Sequence, residues 1–308
     1  MARWAKYWGR VVRRLAVAVL VGSLGLTGCG KQPGQPDAGT AGKPEAVAAS
    51  SPGEGAAGTT AADTPPPNDW QHQPFDKATR QADDPPEECN RPPDMTVTNK
   101  LVYRLYDEVV RLWGTIRFVS PGGKRTEYSA TIETDAGDIE IALRPDLAPN
   151  HVRNFVALAR AGYYDGLCFD RIYHEESEDQ PGTRLDEIEA GCPLGTGEPG
   201  NGHIGYWLKP EFPPEGAGVT HEEGTVGACH GIEPDTAACR FYITLCKAPF
   251  LDGSYTIFGK VTKGLDVARI ISRKPVIIDE QDRDNHRRPE KPVVIRKVTI
   301  HTRETEAQ

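Results

Sequence analysis

The sequence predicts a mainly β fold: a closed antiparallel barrel capped by two α-helices, with an extra helix in front of it. Three observations predict it. Short stretches of alternating apolar and polar residues recur from Tyr128 onward, and only two stretches among them carry helical spacing. A Pro/Gly/Ala-rich segment sets this region apart from the N-terminus.

The N-terminus reads as an export signal. Arg3, Lys6, Arg10, Arg13 and Arg14 make a basic flank with no acidic residue before Asp37, and Leu15 to Leu26 form an apolar stretch too short to span a membrane comfortably. It ends in Leu26-Thr27-Gly28-Cys29, which resembles the lipobox of bacterial lipoproteins, so residues 1–28 are expected to be a signal peptide and Cys29 the lipidated residue. Residues 29–90 are expected to be a disordered, lipid-anchored linker: between Lys31 and Trp70, 22 of 40 positions are Pro, Gly or Ala. The anchor implies a membrane partner and a place in the cell envelope, facing the periplasm or the exterior.

Order is expected from the extension 91–127, where Val102, Leu105, Val109, Leu112, Trp113 and Ile116 recur at helical spacing and predict an amphipathic helix over Asn99 to Phe118 that docks on the domain behind it. The domain is assigned to 128–303. Ala130 to Thr134 and Asp138 to Leu143 alternate around Asp135-Ala136-Gly137, a hairpin signature. A helix follows Pro149-Asn150, with Val152, Phe155, Val156 and Ala159 on one face and Gly162 closing it. Further strands are expected at Thr225 to Cys229, Arg240 to Cys246, Thr256 to Val261 and Val293 to His301, and a second helix around Leu265 to Ile271.

Charge excludes one class of partner. With 36 Lys and Arg against 44 Asp and Glu the net charge is −8, and no basic run occurs outside the N-terminus, so no nucleic-acid partner is expected.

Four segments carry a family likeness: Ala148-Pro-Asn-His-Val-Arg-Asn-Phe-Val-Ala-Leu, Gly162-Tyr-Tyr-Asp-Gly-Leu-Cys-Phe-Asp-Arg171-Ile, Arg240-Phe-Tyr-Ile-Thr-Leu, and Phe250-Leu-Asp-Gly-Ser-Tyr-Thr-Ile-Phe-Gly-Lys260. In order and approximate spacing they resemble the cyclophilin-type peptidyl-prolyl cis/trans isomerases. The resemblance implies an eight-stranded barrel with two capping helices, a proline-accepting groove on its outer face, proline-containing polypeptide clients, and neither a metal nor an organic cofactor. Arg171 matches the family's catalytic arginine, although Asp170 stands before it where His is usual. Phe250 and Leu251 match a Trp-Leu pair bordering the groove. Tyr242 stands where Phe is usual, and Tyr255 replaces a His.

The chemistry explains why few residues suffice. An X-Pro bond exchanges over a barrier near ~20 kcal/mol because the amide nitrogen shares its lone pair with the carbonyl. A fixed cation aimed at the twisted amide stabilises the nitrogen once that sharing is lost, and each ~1.4 kcal/mol gained there is a factor of ten in rate. Arginine, permanently charged and fork-shaped, suits the task.

The likeness breaks between Tyr173 and Cys192. An acidic, irregular stretch, His174 to Arg184, is followed by Asp186-Glu187-Ile188-Glu189-Ala190-Gly191-Cys192 where the family carries Phe-Met-x-Gln-Gly-Gly-Asp. Glu189 and Arg240 each fall where a substrate-orienting Gln is usual, and Cys229-His230 replaces an Ala-Asn pair lining the groove. Glu189 is expected to pair with Arg171 or Arg240, either holding Arg171 in place or occupying it against substrate. The reading is an isomerase of exported proteins with Arg171 as its electrostatic catalyst. A non-catalytic peptide-binding barrel with the same groove is the alternative. Six cysteines remain besides Cys29, and in an oxidising compartment Cys192, Cys229 and Cys239 are expected to be bridged.

Overall fold

The structure is a computed structural model that describes residues 73–176, 183–198, 200–213, 217–278 and 287–305. The signal segment, Cys29 and residues 30–72 of the linker lie outside the described residues.

The chain enters with a single helical turn α1 (Phe75–Ala78), strand β1 (Thr79–Gln81) and helix α2 (Val102–Trp113). Then come β2 (Arg125–Thr134), β3 (Gly137–Leu143), α3 (Pro149–Arg160), β4 (Phe169–Glu176), β5 (Arg184–Ala190) and β6 (Tyr206–Leu208). The order closes with β7 (Thr225–Ala228), β8 (Phe241–Thr244), β9 (Ile257–Lys263), α4 (Leu265–Ser272), β10 (Val276–Ile278), β11 (Arg287–Pro289) and β12 (Ile295–Thr305).

Eight strands form one antiparallel sheet in the order β12-β2-β3-β9-β7-β8-β5-β4. The alternation in β2 and β3 becomes the pairs Ile132↔Ile139 and Ala130↔Ile141, whose side chains turn to the core while the intervening Thr and Glu face outward. The edges also meet: Cys168 bridges Val294, Phe169 N–H donates to Val293 O at 3.0 Å, and Ile295 N–H donates to Leu167 O at 2.7 Å. Two-stranded ribbons β1-β6 and β10-β11 lie outside this sheet.

Helix α3 carries its apolar face into the sheet interior, where the Phe155 ring meets Phe241 at 5.6 Å and Phe258 at 5.5 Å between centroids. Pro149 sits in its first turn, and Glu211 accepts from the free N–H groups of Asn150 (3.0 Å) and His151 (2.9 Å), a cap supplied from a distant loop. The other face of α3 is buried as well, because α2 packs on it. Val102, Leu105, Val109 and Trp113 are the buried positions of α2, so the docking helix expected over Asn99 to Phe118 is present in a shorter form.

Two expectations are corrected. Residues 73–90, expected as the end of a disordered linker, are laid onto the domain. The Phe75 ring packs against Trp113 (5.3 Å) and Tyr206 (5.0 Å), β1 pairs with β6, and the Glu88 carboxylate accepts from Ile232 N–H (2.9 Å) and Glu233 N–H (2.8 Å). The Pro, Gly and Ala excess of residues 31–70 does not reach Phe75, a single aromatic anchor in a polar stretch, and strand addition needs only backbone groups. The stretch His174 to Arg184, expected to be irregular, begins and ends in a ladder: His174↔Asp186, Glu175↔Leu185 and Glu176↔Arg184 prolong the β4-β5 hairpin. Residues 177–182 lie outside the described residues.

Candidate active site

Strand pairing sets Arg171 (β4), Glu189 (β5), Tyr242 (β8) and Gly227 (β7) in one row across four neighbouring strands. The next row outward-facing is Tyr173, Glu187 and Thr244. The row between them, Ile172, Ile188, Ile243 and Val226, faces the core and is buried. Alternation therefore places the polar residues together on the outer face.

Arg171 is only 2% exposed. Its guanidinium carbon lies 4.9 Å from the centre of the Tyr173 ring, and its Nε lies 3.9 Å from Glu189 Oε2. Arg240, just before β8, donates to Asp170 Oδ1 at 3.1 Å and also pairs with Glu189. The Asp170 carboxylate accepts from Cys192 N–H at 3.0 Å. The pairing expected of Glu189 is thus found with both arginines. Burial raises the Asp170 pKa from its ordinary value despite the Arg240 guanidinium beside it. Gly197, at φ 68°, brings its loop backbone against the Arg171 stem: an added Cβ would lie 2.5 Å from Arg171 Cγ.

Tyr242 is held from behind. Its hydroxyl lies 2.8 Å from His221 Nε2, and His221 Nδ1 lies 2.7 Å from Asp252 Oδ1. Burial lowers the His221 pKa against the pull of Asp252, which keeps the imidazole neutral, with Nδ1–H donating to Asp252 and Nε2 accepting the Tyr242 O–H. Gly227 leaves room for this ring, since a Cβ there would overlap the Tyr242 hydroxyl. Gly227→Ala is expected to displace Tyr242 and to cost about 1–3 kcal/mol of stability as overpacking, read from the urea midpoint at unchanged slope.

Beside Tyr242 the Tyr255 ring lies at 6.0 Å, and the His230 ring stacks on Tyr255 at 4.2 Å. His230 spans two loops, with Nδ1 2.8 Å from Gly231 O and Nε2 2.9 Å from Ser254 O. Leu251 is buried and Phe250 half-buried on the turn Pro249–Leu251, and Leu251 O accepts from Tyr255 N–H at 3.2 Å. Cys229 joins this wall through its N–H to Arg240 O at 3.2 Å.

The structure therefore brings Arg171, Glu189, Arg240 and Tyr242 together, with His230 and Tyr255 alongside. Sequence reasoning missed Asp170 as a buried partner, Tyr173 as the ring under Arg171, Glu187 as a groove residue, and the His221-Asp252 support. Period-2 counting from Arg171 and Glu189 would have found Tyr173 and Glu187; nothing local marks His221. The expected bridges among Cys192, Cys229 and Cys239 are not formed: Cys89, Cys168, Cys192, Cys229, Cys239 and Cys246 are all free thiols. Strand positions, not cysteine count, set which thiols meet. Burial pushes Cys168 and Cys239 up to about 12, so neither is a ready thiolate.

Function is carried by a site rather than by a fold, and the site here is a buried arginine and an aromatic cluster on the outer face of an eight-stranded antiparallel sheet. The sequence model of the family described as cyclophilin type peptidyl-prolyl cis-trans isomerase/CLD matches residues 129–300, more than half of the chain, and the chain belongs to that family. It is 40% identical over 143 residues to peptidyl-prolyl cis-trans isomerase B of Bacillus subtilis, covering 46% of this chain and 89% of that one. It is 35% identical to the peptidyl-prolyl cis-trans isomerase-like 1 of Neurospora crassa, over 49% of this chain and 84% of the relative. A crystal structure of a Cryptosporidium parvum cyclophilin type peptidyl-prolyl cis-trans isomerase aligns with TM-score 0.46 and 25% identity, covering 57% of this chain and 98% of that chain. The protein is a peptidyl-prolyl cis-trans isomerase.

Proposed function

We propose that the protein is a lipid-anchored isomerase of the cell envelope that acts on X-Pro bonds of exported polypeptides, with Arg171 as electrostatic catalyst on the outer face of a closed barrel. The observation that carries the proposal is the row Arg171, Glu189 and Tyr242 on one face, flanked by the His230-Tyr255 stack. In this reading the proline ring rests against Tyr242, Tyr255 and Leu251, with Phe250 at the rim. Arg171, steadied by Glu189 and by the Tyr173 ring, points its charge at the amide nitrogen as the bond twists. The nitrogen gains a lone pair in that geometry, so the cation favours the transition state over either planar isomer. Glu189 and Arg240 do what the usual glutamines do, orienting Arg171 and the substrate carbonyl, and the backbone of Cys229 and His230 lines the far side. The departures at Asp170, Glu187, Glu189 and Arg240 make this a divergent version of the family's site.

The edge contacts between β4 and β12 support closure of the barrel. The basic flank, apolar stretch and Leu26-Thr27-Gly28-Cys29 support export and acylation, and the Pro/Gly/Ala-rich segment suits a tether that gives the catalytic domain reach from the bilayer. Two measurements test the reading. Exchange NMR on short Xaa-Pro peptides, with the full chain and its Arg171→Ala variant, tests the catalyst. Cell fractionation tests the anchor: the natural chain is expected in the detergent-released membrane fraction and Cys29→Ser in the soluble fraction. A Cys29→Ser protein that stays with the membrane would overturn the lipid anchor.

A further inference from the structure

Three carboxyl groups and two guanidiniums share the groove, and they do not pair evenly. Arg240 serves both Asp170 and Glu189, and Arg171 lies beside Glu189 and over the Tyr173 ring. Glu187 is 6% exposed, and its side chain makes no ion pair and no hydrogen bond among the described residues. Its register with Tyr173 and Thr244, two places along from Glu189, points it to the same face as Arg171.

An ionised carboxylate held out of water without a cation is strongly disfavoured, and such a group keeps its proton instead. The charged and titratable groups that face it agree. Glu189 on its own strand and Glu175 on β4 repel an ionised Glu187, while Arg171 on β4 and Arg240 ahead of β8 attract it but are already engaged with other carboxylates. Tyr173, Tyr242 and Cys229 complete the surroundings, all held neutral, and Arg287 on β11 is taken up by Glu175.

We infer that Glu187 works as a neutral carboxylic acid, donating a hydrogen bond to a backbone carbonyl of the bound peptide beside Arg171. The inference rests on the groove assigned under the proposed function. Asp170 and Glu189 are the carboxyls that Arg171 and Arg240 engage, and Glu187 is the carboxyl left over among the described residues. An extended peptide laid across the strands presents carbonyl oxygens, and a protonated carboxyl offers the O–H that a carboxylate lacks. Burial first, and the like charge of Glu189 second, hold the Glu187 pKa well above its ordinary value. The sign follows: the donor is present below that raised pKa and is lost as pH rises through it.

The test uses the full chain in peptide exchange at rising pH, from mildly acidic to mildly alkaline, with Glu187→Gln and Glu187→Met beside it. The expected result is a KM that climbs roughly tenfold with pH in the natural protein at nearly constant kcat, a difference of about 1.4 kcal/mol. Glu187→Gln keeps a donor that does not titrate, so its KM stays low across the range; Glu187→Met shows the high KM throughout. Independently of activity, the side-chain carboxyl carbon of Glu187, assigned by its disappearance in Glu187→Gln, is expected to keep its neutral-acid shift to higher pH than the exposed glutamates do. A Glu187 carboxyl that titrates together with the exposed glutamates, or a Glu187→Gln protein that behaves as Glu187→Met does, overturns the inference. A preference for Lys or Arg next to proline that grows with pH would mean that Glu187 binds cations as a carboxylate, and overturns it too. These failures leave Arg171 untouched: if Arg171→Ala is as active as the natural chain, it is the groove assignment that falls.

Discussion

Arg171→Ala is expected to lower kcat/KM for Xaa-Pro exchange at least tenfold, a loss of about 1.4 kcal/mol or more of transition-state stabilisation. The loss is expected in kcat, because the planar isomers of the substrate have no exposed nitrogen lone pair for the guanidinium to meet. Arg171→Lys is expected to recover only part of it. A lysine ammonium is a point charge without the planar fork that rests on the Tyr173 ring and faces Glu189. Exchange spectra of the three proteins at equal concentration decide the matter. Activity that survives in Arg171→Ala within twofold of the natural chain would move the catalytic role elsewhere in the groove. Fold integrity is controlled by the amide spectrum, since removing Arg171 leaves Glu189 with Arg240 as its cation.

Arg240→Ala is expected to have the largest effect on stability, about 3–5 kcal/mol. Its guanidinium is the bonded partner of Asp170, which is fully buried, and of Glu189, which is nearly so. Removing it leaves Asp170 with no cation in a low-dielectric site, where it must either carry an unpaired charge or take up a proton, and leaves Glu189 with only the longer 3.9 Å approach of Arg171. Thermal unfolding is expected to begin roughly 10 °C lower, at the few degrees per kcal/mol typical of a domain of this size. Arg240→Met with Asp170→Asn and Glu189→Gln together is expected to restore most of the loss, because the cost lies in the abandoned charges rather than in the missing cation. A single Arg240→Ala protein as stable as the natural chain would show that Asp170 and Glu189 find other partners.

Both predictions concern groups whose neighbours could be named only in part from the chain itself. Alternation in β2 and β3, the Pro149-Asn150 helix start and the spacing of Val102 to Trp113 are local properties. They transfer into structure because each residue's face is settled by its immediate neighbours. Arg171, Glu189, Arg240, Tyr242 and Tyr255 were legible through motif spacing, which carries the outcome of a fold already known. Asp170 was read as a departure from a motif and turned out to be the buried partner of Arg240, 70 positions away.

What the sequence by itself determined was therefore the mainly β class, the helices and hairpin that alternation and spacing mark, and the docking helix. Their periodicities are short-range, and a one-residue slip would send every apolar side chain of a strand to water. What only the tertiary structure decided was who meets whom across the chain. Phe75 joins a core that its mostly polar surroundings do not announce. His221 props Tyr242 from a loop. The six described cysteines stay apart as thiols. Glu187 is left without a cation in a groove with two. Each of these depends on distances between segments far apart in sequence, and such distances follow from the closing of strand upon strand rather than from any local preference.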